Sequence, residues 1–81
     1  MTSLGMQSKD LRILGNRIRE RRKTLGLTQE GLAATAEIDR SYIGGVERGE
    51  RTGTFTVLCQ VCAALKCDVA TLTTGLPELP Q

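Results

Sequence analysis

Aromatic side chains are nearly absent from this sequence. Tyr42 and Phe55 are the whole set in 81 residues, and there is no tryptophan. Proteins that bind single-stranded nucleic acids stack the bases on aromatic rings, so this kind of binding surface is disfavoured. The remaining hydrophobic residues are leucine, isoleucine, valine and alanine, which suit the packing of helix against helix. The composition therefore favours a small all-helical protein.

Histidine is absent as well, which removes the commonest general base and a common metal ligand. The three cysteines, Cys59, Cys62 and Cys67, are an odd number and do not form a disulfide framework. A zinc site would require a fourth ligand, and a redox-sensing thiol would require nearby positive charge, which only Lys66 supplies. We expect the cysteines to be small buried hydrophobic residues. No metal, cofactor or catalytic site is predicted, and an enzyme is disfavoured.

Long hydrophobic runs are also missing. No apolar run approaches the roughly 20 residues that span a bilayer. The first residues lack the charged start and the apolar stretch of a signal peptide. We expect a cytoplasmic protein with no membrane partner, and a chain of 81 residues has room for one domain.

Positive charge is concentrated near the beginning of the chain. Between Lys9 and Lys23 there are seven basic residues and two acidic ones, whereas the remainder of the chain has a negative balance. Two interpretations stay open: a solvated helix face, or a positive field that steers DNA towards the protein.

Apolar residues recur at three- and four-residue spacing in five segments, which predicts five short helices. We expect a compact five-helix bundle over residues 8–75, between a flexible arm at residues 1–7 and a short tail at residues 76–81. Pro77 and Pro80 make that tail non-helical. The predicted N-caps are Ser8, Thr28, Asp39, Thr54 and Asp68. The inward face of the fourth helix is predicted to consist of Phe55, Leu58, Val61, Cys62 and Leu65.

Residues 29–48 fit a helix-turn-helix, in which two helices of about eight residues are separated by a short turn. Ala33 supplies the small side chain that is needed where two helices cross steeply. Glu37 stands in the turn where glycine is usual, and a non-glycine residue at positive φ is unfavourable but tolerable at one position. The apolar residues predicted to point inward are Leu32, Ala36, Ile38, Ile43 and Val46.

The order and spacing of three segments resemble the lambda-repressor-like, xenobiotic-response-element family of helix-turn-helix regulators. The resemblance covers roughly Leu14 to Leu72, and Asp39–Ile43 followed by Val46–Arg48 is similar to the controller proteins of restriction–modification systems. It implies a homodimeric transcriptional regulator that binds an inverted-repeat operator in double-stranded DNA, with RNA polymerase as a further candidate partner. The segments are Leu14–Arg19, Arg22–Ala33 and Ser41–Gly49.

In this family the third helix lies in the major groove with its N-terminal residues against the base edges. The resemblance therefore implies base contacts by Arg40, Ser41, Tyr42 and Gly45. Arg40 is the main candidate, because a guanidinium matches the O6/N7 edge of guanine and discriminates against a wrong base by about 1–3 kcal/mol. Tyr42 is equally well interpreted as a half-buried packing residue. For Gly45 two interpretations stay open: close approach of the helix backbone to the groove, or no contact with the bases.

The resemblance also implies phosphate contacts and a dimer interface. The phosphate contacts are Arg17, Thr28, Gln29, Arg48, Arg51 and Thr52, with an internal salt bridge as the alternative for Arg17 and Arg48. One domain reads too few base pairs to be specific in a genome, so a two-fold dimer is expected. Its predicted interface is Val69, Leu72 and Leu76, with burial in the monomer core as the alternative for these residues, favoured for Leu72.

The alternative function is an antitoxin-type or other protein-interaction module, because a fold does not determine function. Such a module would need a surface for its partner, and the tail after Gly75 is only six residues long. We therefore expect DNA to be the principal partner.

Overall fold

The computed structural model describes residues 2–51 and 53–79, and this part of the chain contains five helices and no strand. The prediction of an all-helical bundle is confirmed. At the start of the last four helices the side chain of the predicted cap accepts a hydrogen bond from a backbone amide two or three residues later. The helices are α1 (Thr2–Thr24), α2 (Gln29–Ala36), α3 (Arg40–Glu47), α4 (Phe55–Ala64) and α5 (Val69–Thr73).

The first helix is longer than predicted. It begins at Thr2, so the expected cap at Ser8 is wrong and residues 2–7 are helical rather than a separate arm. Extending an existing helix fixes one residue for each new hydrogen bond, whereas nucleating a helix fixes several. Residues 2–7 contain no proline, so α1 can continue through them. Among the described helices none is both long and apolar enough to cross a membrane.

The turns around α2 behave as the sequence predicts. Gly26, two residues after the end of α1, has a φ of 73°, and Glu37, directly after α2, has a φ of 60°. The amide of Ile38 donates to the carbonyl of Ala33 at 2.9 Å, which closes the turn between α2 and α3. Glu37 is not a glycine, so its left-handed backbone costs about 1–2 kcal/mol, which the fold tolerates at this one position.

One hydrophobic core joins the helices. Leu72 is 2% exposed and belongs to this core, so its assignment to a dimer interface is wrong. Phe55 is 69% exposed, so its assignment to the inward face of α4 is also wrong. The reason is that the first turn of α4 lies at the surface, and its buried row starts only at the half-buried Leu58. The largest fully buried side chains are Ile18, Leu32, Ile43, Val61 and Leu65.

Candidate nucleic-acid interface

The second helix of the helix-turn-helix presents its first turn to solvent. Asp39 caps α3 by accepting from the amide of Ser41 at 3.0 Å, and it also accepts from the Ser41 hydroxyl. These hydrogen bonds, with the hydroxyl the stronger influence, hold the pKa of Asp39 below its usual value. Arg40 and Ser41 are both exposed. Two of the predicted base-reading side chains therefore lie together at one accessible helix end.

Arg40 is held in place by α2. Its Nη1 donates to Oε1 of Gln29 at 3.1 Å, and Nε2 of the same Gln29 donates to Oε1 of Glu47 at 3.0 Å. Gln29 thus connects the two ends of α3. Because one amide fixes both contacts, the direction of Arg40 depends on the position of Glu47.

The opposite end of α3 is anchored by an ion pair that the sequence reading missed. Glu47 has a side chain only 3% exposed, and its carboxylate accepts from Nε of Arg22 at 2.6 Å and from Nη2 at 3.0 Å. The remaining Nη1 of Arg22 donates to the carbonyl of Leu27 at 2.9 Å. Glu47 raises the pKa of Arg22 above its usual value, chiefly through these hydrogen bonds.

A signal for this pair exists in the spacing. Arg22 stands four residues after Ile18 on the buried row of α1, and Glu47 stands four residues after Ile43 on the buried row of α3. Two opposite charges at core positions of neighbouring helices are expected to be paired, because burying either one alone is costly.

Two glycines in α3 make room for arginine side chains. A Cβ on Gly45 would lie 3.0 Å from Cδ of Arg51, and a Cβ on Gly44 would lie 3.1 Å from Nη1 of Arg48. Gly45 is buried in this arrangement, so its prediction as a base contact is contradicted: the side chain of Arg51 covers it. The guanidinium of Arg51 also lies over the ring of Tyr42, 5.5 Å from the centroid.

Tyr42 itself is half-buried and packs against the core, as the alternative interpretation had it. The gaps left by the two glycines thus allow both arginines to lie across the surface of α3.

Among the other predicted phosphate contacts, Thr28 and Arg48 lie at the surface, whereas Arg17 contacts α5. Thr28 and Arg48 are exposed; the Thr28 hydroxyl accepts from the amide of Gly31 at 2.9 Å, and Arg48 pairs with Glu50 at 3.1 Å. The predicted alternative of an internal salt bridge for Arg48 is therefore found, although both partners are exposed. Thr52 lies outside the described residues.

Arg17 is used differently from the prediction. Its Nη1 donates to the carbonyl of Leu72 at 3.0 Å and to that of Thr74 at 2.7 Å, so it stabilises the C-terminal end of α5. Arg21 acts in the same way on the end of α4, donating to the carbonyls of Leu65 and Lys66 at 3.0 Å each. These two arginines of α1 attach α4 and α5 to it.

A shallow cavity of about 290 Å³ lies where α1, α2 and α3 meet. It is lined by Arg19, Arg22, Gln29, Glu47 and Arg48. The charge of Arg22 is matched by Glu47 and that of Arg48 by the exposed Glu50, so Arg19 gives the cavity its positive balance. Such a place suits an anion of phosphate size beside the start of α2.

The predicted dimer residues other than Leu72 remain partly accessible. Val69 and Leu76 are half-buried and pack against the core from the side of α5 and the tail. The tail also returns to α1, since Lys9 and Glu78 form an ion pair at 2.9 Å.

Comparison with known proteins gives consistent matches. Residues 13–74 match the family model described as "Helix-turn-helix domain". Control protein C.SmaI of Serratia marcescens is 40% identical over 62 residues, which cover 76% of this chain and 74% of that protein.

Solved structures of controller proteins are similar as well. The restriction–modification controller protein C.AhdI of Aeromonas hydrophila is 42% identical with a TM-score of 0.77, over 79% of this chain and 97% of that one. The C.Esp1396I controller tetramer, solved in complex with its natural 35 base-pair operator, is 32% identical with a TM-score of 0.71, over 78% of this chain and 83% of that one.

Proposed function

The chain belongs to the helix-turn-helix family that includes the restriction–modification controller proteins, and on this premise we propose that it binds operator DNA as a homodimeric transcriptional regulator. One observation carries the proposal: the first turn of α3 is exposed with Arg40 held by Gln29, while the last turn is buried through Glu47. A helix mounted in this way can enter the major groove with its N-terminal end.

Arg40 reads the operator bases in this proposal. Gln29 restricts the guanidinium, so less side-chain freedom is lost when Arg40 meets the O6/N7 edge of a guanine. Ser41 can donate or accept and therefore discriminates less between bases. Tyr42 reaches a thymine methyl or a phosphate from the side of Arg51.

Phosphate contacts fix the register of the helix on the duplex. Gln29, Arg48 and Arg51 surround the DNA-facing side of α3, and Arg19, which the sequence reading did not include, joins them at the cavity beside α2. Arg48 exchanges its exposed partner Glu50 for a phosphate at little cost, because exposed ion pairs contribute little. Arg17 is left out because the end of α5 occupies it.

Dimerisation gives the specificity that a single domain lacks. We place the interface on the half-buried Val69 and Leu76, with Leu72 supporting it from the core. Sedimentation velocity at the concentrations used for DNA binding tests this: a dimer is expected, and a monomer bound to a full inverted repeat contradicts it.

The function of the relatives indicates which genes this chain regulates. C.AhdI is a restriction–modification controller, and we propose that this chain controls such an operon in the cytoplasm, with RNA polymerase as a further candidate partner. Genes for a methyltransferase or an endonuclease are expected beside its own gene. Their absence contradicts the operon proposal but not DNA binding.

The direct experiment is selection from a random duplex library with the purified chain at two salt concentrations, followed by sequencing. We expect an inverted repeat with guanines at matched positions in each half. The logarithm of the affinity should fall steeply with the logarithm of the salt concentration, because phosphate contacts release counterions. Recovery of no motif, with weak salt-sensitive binding, overturns the proposal and favours the protein-interaction module.

A further inference from the structure

The turn between α4 and α5 brings two cysteines together. The amide of Cys67 donates to the carbonyl of Cys62 at 3.0 Å, and the amide of Lys66 donates to that of Ala63 at 3.1 Å. Lys66 between them has a φ of 58°. This is the Schellman arrangement of a helix end, in which the side chains of the two outer residues commonly contact each other. In this chain those outer residues are both cysteines.

The two thiols differ in their surroundings. Cys62 is 2% exposed and lies in the core, whereas Cys67 is half-buried at its edge. Burial, helped by the neighbouring Cys67, raises the pKa of Cys62 to about 11. Cys62 is therefore a protonated thiol at neutral pH, and Cys67 is the member of the pair that a dissolved oxidant reaches first.

We propose that Cys62 and Cys67 are an oxidisable dithiol site that closes to an intramolecular disulfide in the presence of hydrogen peroxide. The sulfur of Cys67 attacks the peroxide oxygen, which breaks the O–O bond and leaves a sulfenic acid and water. The sulfur of Cys62 then displaces the hydroxyl from Cys67, which forms the S–S bond and releases a second water with the Cys62 proton. Two electrons pass from the thiols to one peroxide.

Oxidation at this turn acts on α5. Asp68 follows Cys67 directly and caps α5, accepting from the amide of Thr71 at 2.9 Å and from its hydroxyl at 2.6 Å. Arg21 holds the carbonyls of Leu65 and Lys66 within the same turn. A bond between the cysteines draws residue 67 towards α4 and displaces the α5 cap. The consequence for assembly rests on the proposed dimer interface at Val69 and Leu76.

The test is peptide mapping of the full chain after treatment with hydrogen peroxide and alkylation of the remaining thiols. Trypsin cleavage after Lys66 separates Cys67 from the other two cysteines, so a cross-linked peptide pair reports a disulfide of Cys67, and fragmentation of the peptide 52–66 shows whether Cys59 or Cys62 is its partner. We expect Cys62 joined to Cys67 and Cys59 alkylated. Cys67 oxidised to sulfinic acid with Cys62 alkylated, or a cross-link that uses Cys59, overturns the proposal.

Two cysteine-to-alanine variants serve as controls for the peptide map. Cys59→Ala keeps the cross-link, because Cys59 lies one turn earlier on α4 and outside the Schellman pair. Cys62→Ala leaves a sulfenic acid on Cys67 that dimedone traps. Since Cys62 is buried, circular dichroism must first show that this variant folds. The wild-type map tests the proposal without it.

Sedimentation of the oxidised chain tests the link to α5. We expect the dimer fraction to fall on oxidation and to return with dithiothreitol, while Cys67→Ala shows no change with peroxide. A disulfide that forms without changing sedimentation overturns the link. If the chain is monomeric even when reduced, the proposed dimer is wrong. The disulfide is then still tested independently by the peptide map.

Discussion

The two ends of α3 differ in almost every physical respect. At the N-terminal end Arg40 and Ser41 are exposed, and their hydrogen bonds are to other exposed or half-buried polar groups. At the C-terminal end Glu47 is buried against Arg22, and the backbone lies on α1 at Gly15. The difference shows that α3 is fixed to the core at its C-terminal end, while its N-terminal end is exposed to solvent. The buried contacts set the position of the helix, and the exposed side chains can contact a partner.

Replacing Glu47 with alanine is expected to have the largest effect. Glu47→Ala leaves the guanidinium of Arg22 buried without its carboxylate, and breaking a buried pair from one side costs about 3–5 kcal/mol. Urea denaturation measures the change in the free energy of unfolding.

Glu50→Ala is the matched control, since Glu50 also pairs with an arginine but at the surface. It should leave the denaturation midpoint where it is in the wild type. Equal effects of the two substitutions would contradict the contrast between the two ends of α3.

Gly15→Ala tests the contact between α1 and α3. A Cβ at this position would lie 2.7 Å from the carbonyl oxygen of Glu47 and closer still to that of Val46, so the helices must move apart. Overpacking of this kind costs about 1–3 kcal/mol. Thermal unfolding compares this variant with Asn16→Ala, which changes an exposed neighbour on the same helix. A stable Gly15→Ala variant would mean that α3 is not seated as described.

Gly45→Ala is expected to have the smallest effect on stability. Alanine favours a helix over glycine by about 1 kcal/mol, and the Cβ collides only with the flexible side chain of Arg51. Stability should therefore rise slightly while Arg51 leaves the ring of Tyr42.

Tyr42 is the sole tyrosine in a chain without tryptophan, so its fluorescence reports the change. Gly44→Ala, which meets Arg48 instead, should leave that emission unchanged. The same emission change in both variants would argue against a specific contact between Arg51 and Tyr42.

The helices could be predicted from the sequence because their signals are local. Thr28, Asp39, Thr54 and Asp68 cap helices within three residues of themselves, and a cap followed by apolar spacing is visible without knowing the fold. The exception is α1, which begins at Thr2, six residues before the predicted cap, because extending a helix that is already formed costs less than nucleating one.

The polar contacts between distant residues could not be predicted in the same way. Arg22 and Glu47 are 25 residues apart, and Arg17 and Leu72 are 55 apart. The spacing marks Arg22 and Glu47 as charges at core positions, but the packed structure decides which arginine of α1 meets which acceptor. The covering of Gly45 by Arg51 is of this kind too. For the candidate interface, the elements and the exposed Arg40 were predictable, whereas the groups that hold them were not.

The most direct test of the account is the affinity of Arg40→Ala for the selected operator and for an unrelated duplex of equal length, over a range of salt. The account predicts that specific binding loses about 1–3 kcal/mol for each half-site while non-specific binding changes far less. Arg48→Ala is the control, and it should weaken both duplexes alike because phosphates carry no sequence. If Arg40→Ala also weakens both equally, Arg40 contacts phosphate, and the exposed end of α3 does not read the operator through it.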